Sequence, residues 1–396
     1  MKKIISVALV LVMLLGCVCS FASCGDKTDE KIKVGFICLH DETSTYDLNF
    51  INAAKAAQKA LNLSDDQVII RTNIKEGNEC YEAAADLVDQ GCTAVFADSF
   101  GHEEFMIKAA KEFPNVTFCH ATGTQALALG LPNYHNAFAS IYEGRYLAGV
   151  AAGLKLNEMI ENKQITAEEA KMGYVGAFTY AEVISGYTSF YLGAKSVCPS
   201  VTMEVTFTGS WYDTTEEKNA AEKLIADKCV LISQHADSMG APSACEAAGV
   251  PNVSYNGSTI ETCENTFIVS SKINWAPYFE KMISSVSGGK ALETDWCGTL
   301  ATDSVQLTDV NTKVAAAGTA EKLAAVKADL ESGKLHVFDT SKFTVDGKPM
   351  TSFVVGGKEV VSDGYFHESD VTLVGSAPCF NVKIDGITLL NEKFGD

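Results

Sequence analysis

Aromatic side chains stand at three positions where they could stack against a flat ligand. Tyr46, Phe178 and Trp211 each lie just after a predicted strand or at its end. Aromatic rings give a pocket large flat contact surfaces, and a few polar groups then fix the orientation of the ligand. We expect Trp211 to be the main stacking residue. The alternatives are core positions for Trp211 and Phe178 and an exposed loop position for Tyr46.

Polar groups that could hold the edge of such a ligand occur at similar places. Asp237 follows a predicted strand, where its carboxylate could accept hydrogen bonds from an amine or from hydroxyl groups. Asn49 and Asn256 could both donate and accept. Each of these three residues could instead cap a helix or form a turn. Ser99 and Phe100 end a third predicted strand, and we expect them to line the floor of the same site.

Residue sets that support catalysis do not stand out in the sequence. It contains no G-x-S-x-G or H-E-x-x-H motif. The stretch 287–291 resembles a P-loop only superficially, since it lacks the first glycine, ends in alanine and follows a predicted helix. The adjacent pair Asp65 and Asp66 precedes a strand in a turn, where solvated charge is expected. We therefore expect a binding protein with no catalytic residues, no metal and no cofactor.

Alternating strands and helices must position the candidate residues. Buried apolar strands alternate with helices of apolar spacing through residues 25–140, and the pattern begins again over 141–264. This alternation requires parallel sheets with right-handed crossovers. We predict an α/β fold of two doubly wound parallel-sheet lobes that border a hinged cleft. Residues 265–396 are expected to be returning crossovers that complete both lobes, plus C-terminal strands.

Predicted helix boundaries set the surroundings of some of these residues. A polar loop over 40–47 precedes a helix predicted over 49–63, so that Asn49 would open that helix. A second helix is predicted over 214–228, with Thr214 as its N-cap residue.

The charge composition excludes two classes of partner. There are 31 Lys and Arg against 50 Asp and Glu, which gives a formal net charge of −19. A nucleic-acid partner or a polybasic membrane surface would need clustered positive charge, which is missing here. Only Arg71 and Arg145 are arginines. Glu143 lies two residues before Arg145, and on a helix the two side chains point apart. We expect Arg145 to form a structural ion pair at the hinge rather than to contact the ligand.

The first 24 residues resemble an export signal that ends in a lipidation site. Two lysines precede an apolar run, which is too short to span a membrane. Small residues then precede Cys24, followed by a polar spacer, as in a bacterial lipobox. Cys17 is a rival acylation site. We expect an exported chain that is anchored by lipid on Cys24 to the outer face of the cell membrane.

Ten further cysteines lie outside this segment. None forms a C-x-x-C pair, and their spacing matches no zinc module. Most fall in apolar strands or helices, so we expect them to be small hydrophobic core residues.

Five strings of residues together resemble one protein family. The set is similar to the basic membrane protein family of substrate-binding lipoproteins of ABC transporters, over residues 31–300. The strings are FPNVTFCHATG at 113–123, YEGRYLAG at 142–149, GSWYD at 209–213, QHADS at 234–238 and NWAPY at 274–278.

The resemblance implies a fold and a ligand class. The fold would be that of type I periplasmic binding proteins, and members with known ligands mostly capture purine nucleosides or purine bases. The partners would be a purine nucleoside or base and ABC permease subunits with a separate ATPase, with the binding protein itself a monomer. Asn256 replaces an aspartate and Ile273 replaces a lysine that bind ribose in such members. These differences favour a base, or a nucleoside held differently.

Other functions remain open at this point. Sugars and autoinducers also stack on aromatic rings and bond to carboxylates and amides, so a sugar- or autoinducer-binding protein of the same fold is the first alternative. A surface receptor or adhesin is the second alternative. A nucleoside hydrolase is disfavoured, because the sequence shows no acidic metal-binding cluster and no positioned nucleophile.

Overall fold

Strands and helices alternate along most of the chain. The computed structural model describes residues 32–392, and the predicted signal segment with Cys24 lies outside them. The first run of elements is β1 (Val34–Ile37), α1 (Thr45–Ala60), β2 (Val68–Arg71), α2 (Asn78–Asp89), β3 (Ala94–Ala97), α3 (Glu103–Glu112), β4 (Thr117–Ala121), α4 (Ala126–Leu129) and β5 (Tyr134–Ala139).

A second run repeats this architecture. It consists of α5 (Ile141–Glu161), β6 (Lys171–Gly176), α6 (Ala181–Val197), β7 (Thr202–Phe207), α7 (Thr214–Ala226), β8 (Leu231–His235), α8 (Gly240–Ala248), β9 (Asn252–Tyr255) and β10 (Phe267–Ile273).

Some of the remaining elements add strands to the sheets formed by the first two runs. They are α9 (Ala276–Ser287), β11 (Asp295–Gly298), β12 (Val305–Leu307), α10 (Thr319–Glu331), β13 (Val354–Val355), β14 (Lys358–Glu359), β15 (Val361–Ser362), β16 (Tyr365–Phe366) and β17 (Ile387–Leu389).

Two large sheets define two lobes. The first sheet has the strand order β11-β5-β4-β3-β1-β2, and all its pairs are parallel. The second has the order β12-β10-β9-β8-β6-β7-β17, and only β12 runs antiparallel. We call each sheet with the helices packed on it the first and the second lobe. The α/β fold of parallel sheets that the sequence predicts is therefore confirmed.

The chain passes between the lobes three times. It leaves the first sheet after β5, returns to the first lobe after β10, and enters the second sheet again between β11 and β12. Each connection is short, so three short segments of the chain join the two lobes instead of a single linker.

Burial explains why the strands read as apolar runs. All four residues of β1 and all four of β3 are buried, because helices cover both faces of the parallel sheet. An aromatic cluster packs between this sheet and the helices α1 and α9. Trp275 stacks on Phe50 with ring centroids 4.6 Å apart, and Phe279 lies 4.7 Å from Phe36. The string NWAPY therefore supplies core aromatic residues to the first lobe.

The long helices α5 and α6 touch at their backbones. A Cβ atom added at Gly149 would lie 2.0 Å from the Phe190 carbonyl oxygen, and one added at Gly193 would lie 2.0 Å from that of Tyr146. Glycine is required at both positions because the helices approach so closely.

Several helix starts differ from the sequence prediction. The first helix begins at Thr45 rather than at Asn49, because Ser44 is its N-cap and accepts a hydrogen bond from the Asp47 backbone N–H. The predicted cap Thr214 is also wrong. Asp213 is instead the N-cap residue of α7, and its carboxylate accepts hydrogen bonds from the backbone N–H groups of Thr215 and Glu216.

The C-terminal segment (residues 332–392) only partly follows its prediction. β17 joins the second sheet beside β7, but β13 with β14 and β15 with β16 form two separate two-stranded sheets. Their packing is aromatic, with Phe338 stacked on Phe380 at 4.1 Å. The segment touches both lobes. The backbone N–H of Ser376 donates to Asp295 in β11, and Asn391 bonds to Phe207 in β7.

The cysteines behave as predicted. All ten that the structure describes are free thiols, and eight are buried. Four lie in the first lobe and four in the second: Cys38, Cys80, Cys92, Cys119, Cys198, Cys229, Cys245 and Cys263.

Candidate ligand-binding site

A small cavity lies where the carboxyl ends of strands from both lobes face each other. Ligands of open α/β sheets bind beyond these strand ends. Larger grooves, one of about 1050 Å³, lie on outer surfaces near the C-terminal segment and away from the strand ends. The cavity is lined by Leu39, His40, Tyr46, Asp47, Ser99 and Phe100 of the first lobe and by Glu182, Trp211, His235 and Asp237 of the second.

Tyr46 forms a fixed part of the first-lobe wall. It lies in the first turn of α1 and is half-buried, so the alternative of an exposed loop position is wrong. Its hydroxyl donates to the Asp98 carbonyl oxygen at 2.8 Å, and its ring meets Phe50 edge-on at 4.9 Å. These two contacts hold the ring in one orientation beside the cavity.

A row of rings closes one side of the site. Phe100 follows β3 and lies 5.0 Å from Tyr180 of the opposite lobe. Tyr180 stacks on Phe178 at 5.1 Å, and Phe178 meets Trp211 edge-on at 5.0 Å. Of these rings, Phe100 and Trp211 line the cavity, whereas Phe178 supports Trp211 from behind.

Hydrogen bonds join the two lobes beside the cavity. The Thr45 backbone N–H donates to the Asp237 carbonyl oxygen at 3.0 Å, and Asn49 Nδ2 donates to the Asn256 carbonyl oxygen at 2.9 Å. Asn256 is buried, has a φ of 65°, and donates from Nδ2 to Asp237 Oδ1 at 3.3 Å. Asn49 and Asn256 thus hold the lobes in a closed arrangement and are not among the lining residues.

Two carboxyl groups form a buried pair below the first-lobe wall. Asp47 accepts from the His40 backbone N–H and from Ser44 Oγ. Burial acts to raise the pKa of Asp47, but the hydrogen bonds from His40 and Ser44 outweigh it and hold this pKa below its usual value. The pKa of Asp98 is raised well above its usual value, by burial and by the charge of Asp47. Burial therefore favours the neutral form of Asp98, whereas the hydrogen bonds to Asp47 favour the ionised form of Asp47.

The same pair lies close to a thiol. Ligand atoms of Cys38, Asp47 and Asp98 all lie within 4.8 Å of one another. A metal ion would prefer such atoms with their lone pairs available. Both Asp47 oxygens already accept hydrogen bonds, and Asp98 Oδ1 accepts from the Leu39 backbone N–H. We interpret the cluster as a hydrogen-bonded floor of the site.

The second lobe places two acidic groups and a histidine at the cavity. His235 Nε2 lies 3.4 Å from Glu182 Oε1, and its ring lies 4.5 Å from the ring of Tyr255. Burial lowers the pKa of His235. The pKa of Asp237 is raised well above its usual value by burial and then by the charges of Asp47, Glu217 and Glu182.

Arg145 lies beneath this wall and makes no ion pair with a described residue, so the predicted ion pair at the hinge is wrong. The guanidinium is fully buried and lies over the rings of Tyr174, Phe190 and Tyr255. It donates to neutral oxygens only: the Ser254 carbonyl, Ser271 Oγ, Tyr174 OH and Ser233 Oγ. Glu143 accepts from Ser140 Oγ at the start of α5 instead.

The structure brings most of the candidate residues to one place. Tyr46, Ser99, Phe100, Trp211 and Asp237 line the cavity. Phe178, Asn49 and Asn256 lie just outside it. Ser99 directs its hydroxyl to Glu76, at 2.6 Å.

Five of the ten lining residues were not among the predicted site residues. They are Leu39, His40, Asp47, Glu182 and His235. Ser44 with Asp47 three residues later was a usable sign of an earlier helix start, and it would have moved Asp47 to the cleft.

Two lobes that enclose a cavity at their strand ends define a solute-binding protein. The profile of the family described as ABC transporter substrate-binding protein, PnrA-like, matches residues 38–331. The chain belongs to this family, and the resemblance seen in its sequence is confirmed.

Individual relatives agree with this assignment. A purine-binding protein of Brucella abortus is 31% identical over 264 residues, which are 66% of this chain and 70% of that protein. A putative ABC transporter glucose-binding protein of Haloferax volcanii is 29% identical over 268 residues, which are 66% of this chain and 64% of that protein.

Solved structures support the same fold. A solute-binding protein of an ABC transporter system from Aeropyrum pernix superposes with a TM-score of 0.65 at 15% identity, over 78% of this chain and 93% of the other. One from Conexibacter woesei has a TM-score of 0.61 at 21% identity, over 77% and 98%.

Across 32–392, no helix combines the length and the apolar character that a membrane crossing requires.

Proposed function

We propose that this substrate-binding protein captures a purine base or a purine nucleoside. The observation that carries the proposal is the composition of the cavity, in which Tyr46, Phe100 and Trp211 bring flat rings from both lobes. Carboxyl groups lie beside these rings. A purine has two π-faces and a polar edge, which suit such a lining. The name of the Brucella abortus relative supports the same ligand class.

A base fits the site at least as well as a nucleoside. Ile273 is buried and apolar where ribose-binding members carry a lysine, and the Asn256 amide already bonds to Asp237. A ribose would therefore have to be held by other groups. A ligand panel that contains purine bases and purine nucleosides distinguishes these two ligands.

Capture would occur by closure of the two lobes. In an open state the ligand binds one lobe, and closure then forms the contacts from Thr45 to Asp237 and from Asn49 to Asn256. The closed form delivers its ligand to permease subunits that work with a separate ATPase. The binding protein acts as a monomer on the outer face of the cell membrane, anchored through lipid on Cys24.

The test is a ligand panel on residues 25–396 after unfolding and refolding to remove bound ligand. Purine bases, purine and pyrimidine nucleosides, glucose and other sugars are compared by thermal shift and calorimetry. A ligand at a hundredfold excess over its Kd stabilises the fold by about 2.7 kcal/mol. A shift with purines alone supports the proposal, and a shift with sugars alone overturns it.

A matched pair of variants tests the stacking residue. We expect Trp211→Ala to weaken purine binding by about 1–3 kcal/mol, because a stacked ring is lost. The control is Tyr81→Ala, which removes a ring from the outer face of α2, where Tyr81 bonds to Glu112. Unchanged purine affinity in the folded Trp211→Ala protein would exclude stacking at this position.

A sugar is the second candidate ligand. The Haloferax volcanii relative, which is named as a putative glucose-binding protein, favours it. Aromatic rings and carboxylates also bind sugars. A shift of the melting temperature with glucose but with no purine would establish this alternative. If no ligand of the panel shifts the melting temperature of a folded sample, the result would favour a surface receptor or adhesin.

A further inference from the structure

The cavity has an uneven charge distribution. Three carboxyl groups line it, from Asp47, Glu182 and Asp237, together with two histidines. Among the lining residues that the structure describes there is neither lysine nor arginine. A ligand that enters this space meets mostly hydrogen-bond acceptors, unless the protein already satisfies them.

Two of the three carboxyl groups are engaged by the protein. Asp47 accepts from His40 and Ser44 at the start of α1. Asp237 accepts from Asn256 through Oδ1. These contacts hold the two residues in place and use part of their accepting capacity.

Glu182 is the least engaged of the three. It lies in the first turn of α6, with its side chain 10% exposed, and its one ion-pair neighbour in the described chain is His235, whose Nε2 is 3.4 Å from Oε1. Burial lowers the pKa of His235, although the neighbouring Glu182 acts to raise it, so the neutral form of the ring is favoured.

Such a group requires a donor from the ligand. An ionised carboxylate that closure removes from water is unfavourable unless hydrogen bonds replace its hydration. An exocyclic amine on a ring edge supplies an N–H group for that purpose. A ring carbonyl at the same place would set one acceptor against another, and a site built in this way discriminates strongly against such a ligand.

We propose that Glu182 contacts the ligand and selects 6-aminopurines, such as adenine and its nucleosides, over purines with a carbonyl in place of the amine. His235 holds the Glu182 carboxylate in position. The inference rests on the proposed function and adds a selectivity to it, through a residue outside the sequence-predicted site.

The experiment compares three bases that differ in the substituent at ring position 6; hypoxanthine also carries a hydrogen on N1. Adenine carries an amine, purine a hydrogen and hypoxanthine a carbonyl, and calorimetry gives the affinity for each. For the wild-type chain we expect the order adenine, purine, hypoxanthine, with adenine bound at least tenfold more tightly than hypoxanthine.

Variants at Glu182 locate the selectivity. Glu182→Gln replaces the carboxylate by an amide that both donates and accepts, so the ratio between adenine and hypoxanthine should fall to within about threefold. Glu182→Asp keeps the charge and should keep adenine as the preferred base, at reduced affinity. The control Glu222→Gln changes an exposed glutamate on α7 that pairs with Lys218 outside the cavity, and it should behave as wild type.

The outcomes separate this inference from the proposed function. If the folded Glu182→Gln protein keeps the wild-type ratio, or if the wild-type chain prefers hypoxanthine, Glu182 is not the selecting residue although purine binding stands. If no purine binds the wild-type chain, the proposed function fails first and the inference with it.

Discussion

Glu217 shows how one buried side chain couples stability to pH. It lies in the first turn of α7 with its side chain fully buried, and its carboxylate accepts from the backbone N–H groups of Asp213 and Ser238. Burial raises the pKa of Glu217 from 4.5 to about 7, and its hydrogen bonds only partly oppose this. The folded protein therefore holds a proton that the unfolded chain releases at lower pH.

The sign of the effect follows from this difference. Where the folded state binds more protons, the free energy of unfolding falls as the pH rises. Below pH 4.5 the ionisation of Glu217 does not change the free energy of unfolding. Above pH 7 it lowers the free energy of unfolding by about 3 kcal/mol, at roughly 1.4 kcal/mol per pKa unit. We expect urea unfolding to give greater stability at pH 5 than at pH 8.

Variants show whether Glu217 causes this dependence. Glu217→Gln cannot ionise, so the stability difference between pH 5 and pH 8 should shrink in that variant. The neighbouring Glu216 is exposed, and Glu216→Gln should keep the wild-type difference. An equal difference in all three proteins would assign the pH dependence to other groups.

Single residues were predictable where their type restricts their place. Cysteines in apolar runs were buried as expected, and Trp211, Phe100 and Asp237 follow strand ends and line the cavity. Glu182 was not predictable in this way. A glutamate in the first turn of a helix is ordinary for its favourable interaction with the helix dipole, so nothing in the sequence distinguished it.

Elements were predicted well where apolar spacing continues to the end of the element. The alternation of strands and helices predicted over 141–264 is found in the structure as the run from α5 to β9. The start of α1 was missed because its first turn is polar and the apolar spacing begins only at Phe50. The strand β5 was missed because His135 and Asn136 interrupt its apolar run, although all six of its residues are buried.

Helix packing gives a prediction at this scale. Gly149→Ala places a methyl group against the Phe190 carbonyl oxygen in the contact between α5 and α6. Alanine favours a helix by about 1 kcal/mol over glycine, but overpacking against a backbone costs more. We expect a net loss of about 2 kcal/mol in urea unfolding.

A glycine with more space serves as the control. At Gly257 the nearest atoms to an added Cβ are 3.6 Å away on Thr45, so Gly257→Ala should change stability by less than about 0.5 kcal/mol. If Gly149→Ala were as stable as wild type, the two helices would have room to separate.

The whole molecule contains a part that the family match does not reach. The match ends at residue 331, and the C-terminal segment continues across both lobes. The sequence predicted that residues 265–396 complete both lobes and add C-terminal strands. In the structure β11 joins the first sheet and β10, β12 and β17 join the second, whereas β13 to β16 lie outside both large sheets. Short strands between glycine turns carry too little pattern to choose a partner sheet.

This segment should restrain the opening of the cleft. Asp295→Ala removes the acceptor that holds Ser376 on the first lobe. We expect the ligand-free variant to have a larger radius of gyration in small-angle X-ray scattering. Its ligand affinity should fall several-fold, because less of the population is closed.

The control for this prediction acts inside the segment. Asp385 accepts from Thr344 and Gly347 and links neither lobe, so Asp385→Ala should leave the radius of gyration unchanged. Equal radii for Asp295→Ala and the wild-type chain would show that the segment does not limit opening.

The labelling rates of the eight buried thiols can report local unfolding within each lobe. A buried thiol reacts with an alkylating reagent only when its surroundings open, so its rate of labelling reports local unfolding. Four of these thiols lie in each lobe, and none is tied up in a disulfide. Mass spectrometry of labelled peptides would therefore time the two lobes separately in one sample. A ligand that binds across the cleft should slow both sets of reactions, and one held by a single lobe should slow only one.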